Sequence, residues 1–298
     1  MSEQTLPTIK PAAIRGAFWM IGAIVAFSTM AVAGREILNE LDTFELMLYR
    51  SIVGLLIVVP VALATGSLRE VNTEQLPLQI LRNLFHFTGQ NLWFLALTLI
   101  PLAQVFAIEF TSPIWVLLFS PLLLGERLTR GRAIAACFGF IGILVVTRPT
   151  VETINVGIIA AALSAICFAM TNVLTRKLTR SQSITCIMVY LTATQTVFGL
   201  IGAGYDGHIT IPSMAYVPAI FLVGLCGLVA HFCLTRALSI APAPTVMPID
   251  FARLPLIALI GFLFYDEGID IYVFYGAAII FTANYINLLR ESRENTGQ

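Results

Sequence analysis

Charge is what this sequence has least of. Asp, Glu, Lys and Arg make up 11% of its 298 residues against 58% apolar, whereas a soluble domain carries about a quarter charged. A soluble globular protein is thereby excluded. Histidine occurs three times, and the five cysteines (Cys137, Cys167, Cys186, Cys226, Cys233) show no CxxC spacing. No metal site, cofactor or disulfide is expected from them, and all five read as small hydrophobes buried in spans. The absence of a Walker lysine motif, HExxH and a GxSxG elbow removes the usual signatures of ATP-driven pumps and of the common hydrolases. Net charge is zero, and no nucleic-acid partner is implied.

What the chain does have is apolar length. A hydrocarbon core about 30 Å thick needs about 20 helical residues. Ten segments fit, near residues 15–34, 44–65, 77–98, 101–124, 131–148, 153–175, 184–204, 215–236, 243–265 and 271–289. Turn-forming clusters such as Asn39-Glu40-Leu41-Asp42 and Tyr205-Asp206-Gly207-His208 separate them, and tight hairpins are expected at Pro101 and Pro242, each in a first helical turn. The expected class is an all-α polytopic membrane protein with ten transmembrane helices. The first span is long and nine follow, so it reads as retained rather than as a signal peptide.

The chain also matches itself, without gaps, at an offset of 141 residues. Gly16 falls on Gly157, Arg35 on Arg176, Pro101 on Pro242, Phe110 on Phe251 and Glu126 on Glu267, while Glu109 falls on the other carboxylate, Asp250. Two five-helix repeats result, 15–148 and 153–289, flanked by tails 1–14 and 290–298. With the N-terminus in the cytoplasm, twelve Lys and Arg lie inside and only Arg35 and Arg148 outside, which predicts both termini inside. An odd number of spans per repeat makes the second half enter from the opposite face. Such inverted repeats are the architecture of alternating access.

Two paired motifs carry a family resemblance. The stretch Ala96-Leu97-Thr98-Leu99-Ile100-Pro101-Leu102-Ala103 and the span end Leu122-Leu123-Leu124-Gly125-Glu126-Arg127 return as Ala237-Leu238-Ser239-Ile240-Ala241-Pro242 and Tyr265-Asp266-Glu267. With the ten-span topology, the chain resembles the EamA-type members of the drug/metabolite transporter superfamily over roughly 14–289. The resemblance implies a secondary transporter with substrate held in a central cavity. It leaves the substrate open, since similar proteins export amino acids and other metabolites or import riboflavin or S-adenosylmethionine. Asp266 replaces the motif glycine and no arginine follows Glu267, so Glu126 and Glu267 read as structural residues at span ends.

Candidate functional residues are those that are costly to hold in a membrane. A charge at a span centre costs at least ~2.5–3.5 kcal/mol and needs a partner or a wet cavity. Glu109 and Asp250 sit ~10–12 Å deep by the helical rise, approached from opposite faces, and an inverted repeat puts them across one cavity. Asp250 and Arg253 share a helix face at i, i+3, with Pro248 and Pro255 flanking them; they form either a packing pair or a working one. Removing the Asp250 charge is expected to leave Arg253 an unpaired buried cation. Glu109 has no partner on its own helix, and Arg50 in the second span is the expected one. A carboxylate in that setting suits proton coupling.

The third span carries a polar stripe: Arg82, His86, Gln90 or Asn91, then Trp93 and Phe94. Arg82 is expected to snorkel to the headgroups and His86 to make an interhelical hydrogen bond. Gln90 and Asn91 suit helix-to-helix bonding or ligand contact equally. His231 falls on Gln90 under the repeat, which makes both cavity candidates. Tyr49 and Tyr190 read as interfacial, and Trp115, Asn172, Gln195 and Asn284 are weaker cavity candidates for which plain packing is the alternative.

The sequence thus predicts a multi-pass transporter of the bacterial inner membrane, moving a small zwitterionic or aromatic metabolite, with the proton as coupling ion and lipid as surroundings. Export is the default that the resemblance implies, and uptake of a vitamin or nucleoside-like metabolite is the alternative. A membrane enzyme acting on lipid-linked substrates, with Glu109 and Asp250 as acid and base, ranks below both.

Overall fold

The computed structural model describes residues 11–124, 130–148, 155–240, 250 and 252–296. Eleven α-helices run through them, with a 3-10 helix (Ser67–Glu70) after the second: α1 (Pro11–Ile37), α2 (Thr43–Ala64), α3 (Leu76–Leu99), α4 (Leu102–Glu109), α5 (Ser112–Leu124), α6 (Arg130–Thr147), α7 (Val156–Leu178), α8 (Ile184–Ala203), α9 (Val217–Ile240), α10 (Arg253–Tyr265) and α11 (Ile271–Thr296). Five stretches, within α1, α2, α7, α8 and α9, are long and apolar enough to cross a membrane on their own composition. The third span falls outside that group because its polar stripe dilutes it. Large apolar side chains such as Phe18, Leu56 and Phe264 point outward, as lipid contact requires.

Local signals set the helix ends. Asp42 and Glu45 form a capping box at the start of α2, with Glu45 N–H donating to Asp42 Oδ1 at 2.8 Å and Asp42 N–H to Glu45 Oε2 at 3.0 Å. Asn155 and Ser183 accept from the third backbone N–H of α7 and α8 in the same way. Pro101 is the N-cap of α4 rather than a residue of its first turn, and Ile100 beside it is extended. The hairpin there is as tight as expected; that at Pro242 lies outside the described residues, as do Pro248, Gly125-Glu126-Arg127 and the start of the ninth span.

The fourth span is not continuous. α4 stops at Glu109 and α5 restarts at Ser112, because Pro113 has no N–H to give the carbonyl of Glu109, the acceptor an unbroken helix would use. Thr111 takes up part of the slack, its hydroxyl donating to Ile108 O at 2.7 Å. The second half restarts at the equivalent place: Ser112–Leu124 maps onto Arg253–Tyr265 at the same 141-residue offset.

Packing follows the repeat. α1 lies on α9 and α3 on α7, two pairs that exchange under the offset, while α2 lies on α8 and α6 on α11, each helix meeting its own counterpart; α4 lies on α10, the two being different segments of the counterpart fourth and ninth spans. That pattern is a pseudo-twofold relation between the halves. Small residues permit the close contacts: a Cβ on Gly276 of α11 would come within 2.6 Å of Gly142 O on α6. Span ends gather by face. Arg35 pairs with Glu267, Arg148 with Asp270, and Thr210 N–H donates to Glu45 at 2.6 Å, which joins the ends of α1, α6, α8 and α10 to the start of α2. Tyr49 donates to Thr210 O at 2.7 Å on that face, as an interfacial tyrosine does.

Three of the cysteines, Cys186, Cys226 and Cys233, are buried and Cys167 half-buried, but Cys137 is exposed. Burial of all five was the wrong expectation for a membrane chain, whose outer surface is itself apolar and accepts a thiol at little cost.

Candidate functional site

The pairing of α4 with α10 decides the site. Glu109, the last residue of α4, and Asp250, its equivalent in the second half, meet there at the start of α10. Arg253, at the start of α10, donates through Nη2 to Glu109 Oε1 at 3.2 Å and to Asp250 Oδ2 at 2.9 Å. Trp93 Nε1–H donates to Glu109 Oε2 at 2.8 Å. The rings of Phe27, Phe106 and Phe110 stand 5.0, 5.0 and 5.2 Å from the guanidinium carbon, within cation–π range. Arg253 keeps 5% of its side-chain surface and each carboxylate 17%, so the acids rather than the base face the open side. With all three ionised, two negative charges meet one positive.

A second polar group lies further along the interface. Arg50 donates through Nη1 to Gln90 Oε1 and, at 3.6 Å, to the Met47 sulfur. Arg82 donates to Thr175 Oγ1 at 3.0 Å and to Asn83 Oδ1 at 2.7 Å, and Asn83 in turn to Thr194 Oγ1 at 2.7 Å. His86 Nδ1 is hydrogen-bonded to Gln195, the interhelical bond expected of it. The His86 and His231 rings lie 5.6 Å apart, and Phe27 stands edge-on to His231 at 5.5 Å. Phe27 thus touches both groups. A small cavity lies between α2, α8 and α9, with Arg50, Ser51, Thr192, Gln195, Gly227 and His231 in its wall. It holds about 20 Å³, space for a water molecule and far less than a metabolite needs.

The expected candidates therefore divide. Glu109, Asp250, Arg253 and Trp93 form one cluster, and Arg50, Gln90 and His231 the other. Asn91 joins neither, since its amide donates to Phe87 O of its own helix at 2.8 Å. Two expectations are corrected. Arg50 is not the partner of Glu109: α2 packs on α8 and α9, so its guanidinium meets α3 and the cavity, and Arg253 from the counterpart span takes Glu109 instead. Arg82 does not snorkel; it is 5% exposed, held by Thr175 and Asn83 where α3 packs on α7. Gln195 and Asn83 carry more of the network than the sequence suggested. Their signal was the repeat itself, in which Gln195 falls opposite Gly54 and Asn83 opposite Gly224, each polar side chain matched by a glycine.

Glu267 reads as structural here too. It accepts from Arg35 and from the Leu102 N–H, the latter at 2.9 Å, and so ties the end of α10 to α1 and to the start of α4. Among the described residues no group of His, Cys, Asp and Glu has the makings of a metal site.

The chain is similar to known proteins over nearly its whole length. A riboflavin transporter of Rhizobium johnstonii is 29% identical over 294 residues, 98% of this chain and 97% of that protein. An S-adenosylmethionine uptake transporter of Rickettsia felis is 25% identical over 280 residues, 94% of each chain. A solved crystal structure, 19% identical, superposes with a TM-score of 0.65 over 93% of this chain and 98% of its own, which speaks for the fold alone. The EamA-like transporter family matches twice, at residues 14–148 and 155–289, on the two halves that the packing relates. This chain is accordingly a multi-pass membrane protein of the EamA-like transporter family, within the drug/metabolite transporter superfamily, and a transporter rather than an enzyme.

Proposed function

We propose that the chain is a proton-coupled secondary transporter of the bacterial inner membrane, with both termini cytoplasmic, which takes up a small zwitterionic or aromatic metabolite by alternating access between its two halves. The observation that carries this reading is the shared arginine. Glu109 and Asp250, one from each half, converge on Arg253, leaving one negative charge in excess at the interface where the halves would part. In a low-dielectric interior that excess is offset by a proton or by a cationic group of the substrate, and exchange between the two couples their movements. The aromatic wall of Trp93, Phe27, Phe106 and Phe110 suits a flat or cationic ligand.

Direction is the finer part of the proposal. The sequence resemblance favoured export, but a relative similar over nearly its whole length is named an uptake transporter for S-adenosylmethionine and another a riboflavin transporter. The second of those names supports uptake, and both match the chemistry of the site: one ligand is a planar aromatic, the other bears ammonium, sulfonium and carboxylate groups. The test is uptake of labelled S-adenosylmethionine and riboflavin into proteoliposomes under an imposed proton gradient. Accumulation of either that collapses with a protonophore supports the reading. Transport that ignores the gradient, or that Glu109→Gln leaves equally gradient-dependent, removes Glu109 from proton coupling.

A further inference from the structure

Among the described residues, two buried guanidinium groups have no acid beside them. Arg50 is 8% exposed and Arg82 5%, and the partners of both are neutral: Gln90 and Met47 for Arg50, Thr175 and Asn83 for Arg82. Among the described residues neither forms an ion pair. Seven residues into α2 and six into α3, they lie roughly 10 Å from opposite ends of the fold by the helical rise, at a depth where an unpaired charge is expensive. The scaffold does not ask for them. At the 141-residue offset Arg50 falls on Leu191 and Arg82 on Val223, so the second half packs the same positions with apolar side chains.

The chain instead makes room for Arg50. Gly227 is placed so that a Cβ there would come within 2.8 Å of Arg50 Nη2, and the guanidinium forms part of the cavity wall with Ser51, Thr192, Gln195 and His231. Gln90 gives it an uncharged amide oxygen on one nitrogen, half of what a carboxylate or phosphate would give a guanidinium fork.

We propose that Arg50 is the recognition residue for an anionic group of the transported metabolite, a carboxylate or a phosphate, which displaces Gln90 from the guanidinium and enlarges the cavity. Arg82, about two turns from Gln90 along α3, adds its positive field to the same interface, and Gln90 closes over Arg50 again when the site empties. The inference deepens the transport reading and rests on it for the word metabolite. Together with the acidic cluster on the other side of Phe27, it gives the substrate path two poles of opposite sign.

Binding is tested without transport. Thermal melts of the purified protein are recorded in sodium acetate and in sodium phosphate against sodium chloride at equal ionic strength, for the wild type, Arg50→Met, Arg50→Lys and Gln90→Leu. A saturable rise in Tm is expected with one of the two anions, and which one names the group. Arg50→Met loses the rise and Arg50→Lys keeps part of it. Gln90→Leu, which removes the competing amide, lowers the half-saturating concentration roughly tenfold, as for one hydrogen bond to a charged group. Should Arg50→Met fail to fold, Arg50→Lys and Gln90→Leu still decide. No saturable rise in the wild type, or a rise that the Arg50 variants leave unchanged, overturns the assignment. Transport without an anion effect sinks the anion site alone, whereas an anion effect in a protein that moves no metabolite sinks the transport reading alone.

Discussion

Glu109 and Asp250 accept hydrogen bonds from the same nitrogen, Nη2 of Arg253, at 3.2 and 2.9 Å. They occupy equivalent places in the two halves, but the arginine between them has no counterpart: Ser112 stands at its position in the first half, its buried hydroxyl without a hydrogen-bond partner. The repeat supplies the symmetry of the acids, and one unsymmetrical residue makes them a unit.

That sharing changes what each acid is worth. Asp250→Asn leaves a one-to-one pair between Glu109 and Arg253, not the isolated cation the sequence spacing suggested, and is expected to keep Tm near the wild type. Glu109→Gln is expected to behave likewise. The double variant strands Arg253 and should lose stability on the scale of ~3–5 kcal/mol, the cost of an uncompensated buried charge. Adding Arg253→Met should recover part of it. Thermal melts in detergent measure all four; an additive double variant would mean that the acids do not share the arginine.

Proton coupling has a separate signature. If the excess carboxylate carries the proton, gradient-driven uptake by the wild type rises as the outside is acidified, since more of the loaded form is then available on that side. Each single acid variant, its cluster already neutral, should exchange substrate without responding to the gradient. Counterflow with and without a pH difference separates the two.

Glu267 holds the face where Arg35 and Leu102 meet. Glu267→Ala removes an ion pair and leaves the Leu102 N–H without its acceptor, a loss of roughly 1.5–3 kcal/mol for hydrogen bonds to a charged group. Hydrogen exchange should accelerate at residues 102–105 and near Arg35 while α8 stays protected. Unchanged exchange at 102–105 would show that this tie does not hold the face closed.

Gly276 tests the contact between the fifth and tenth spans. Val146 crowds the Cβ it lacks and Gly142 O lies 2.6 Å from it, so Gly276→Val forces α11 off α6, at a cost of the ~1–3 kcal/mol typical of overpacking. Lower yield and Tm are expected, with the substrate preference of the surviving protein unchanged. A shift in preference would place α11 in the substrate path.

Orientation is open to direct measurement. Reporter fusions after Arg176 and at the C-terminus should read as cytoplasmic and fusions within Asp206–Thr210 as external, as the distribution of Lys and Arg requires. A cytoplasmic signal at Asp206–Thr210 would invert the whole assignment.

Sequence alone determined the class, the span count, the repeat and the residues too polar for their surroundings, because insertion into a membrane is governed by local quantities: apolar length, the cost of each charge and the placement of lysine and arginine. The break after Glu109 was also written locally, in Pro113, though a hydropathy window passes over it. Partner choice was decided only in three dimensions. Spacing along a helix pairs Asp250 with Arg253 and offers Glu109 nothing, and the long-range contact that gives both acids one guanidinium exists because α4 packs on α10, a segment of the counterpart span. The same holds for Arg82, whose burial depends on α7 lying against α3, and for Arg50, whose place was left open by a glycine 177 residues away in the chain, Gly227. Helix formation reads neighbours in sequence, whereas a charge in the membrane is settled by whichever helix the packing brings beside it.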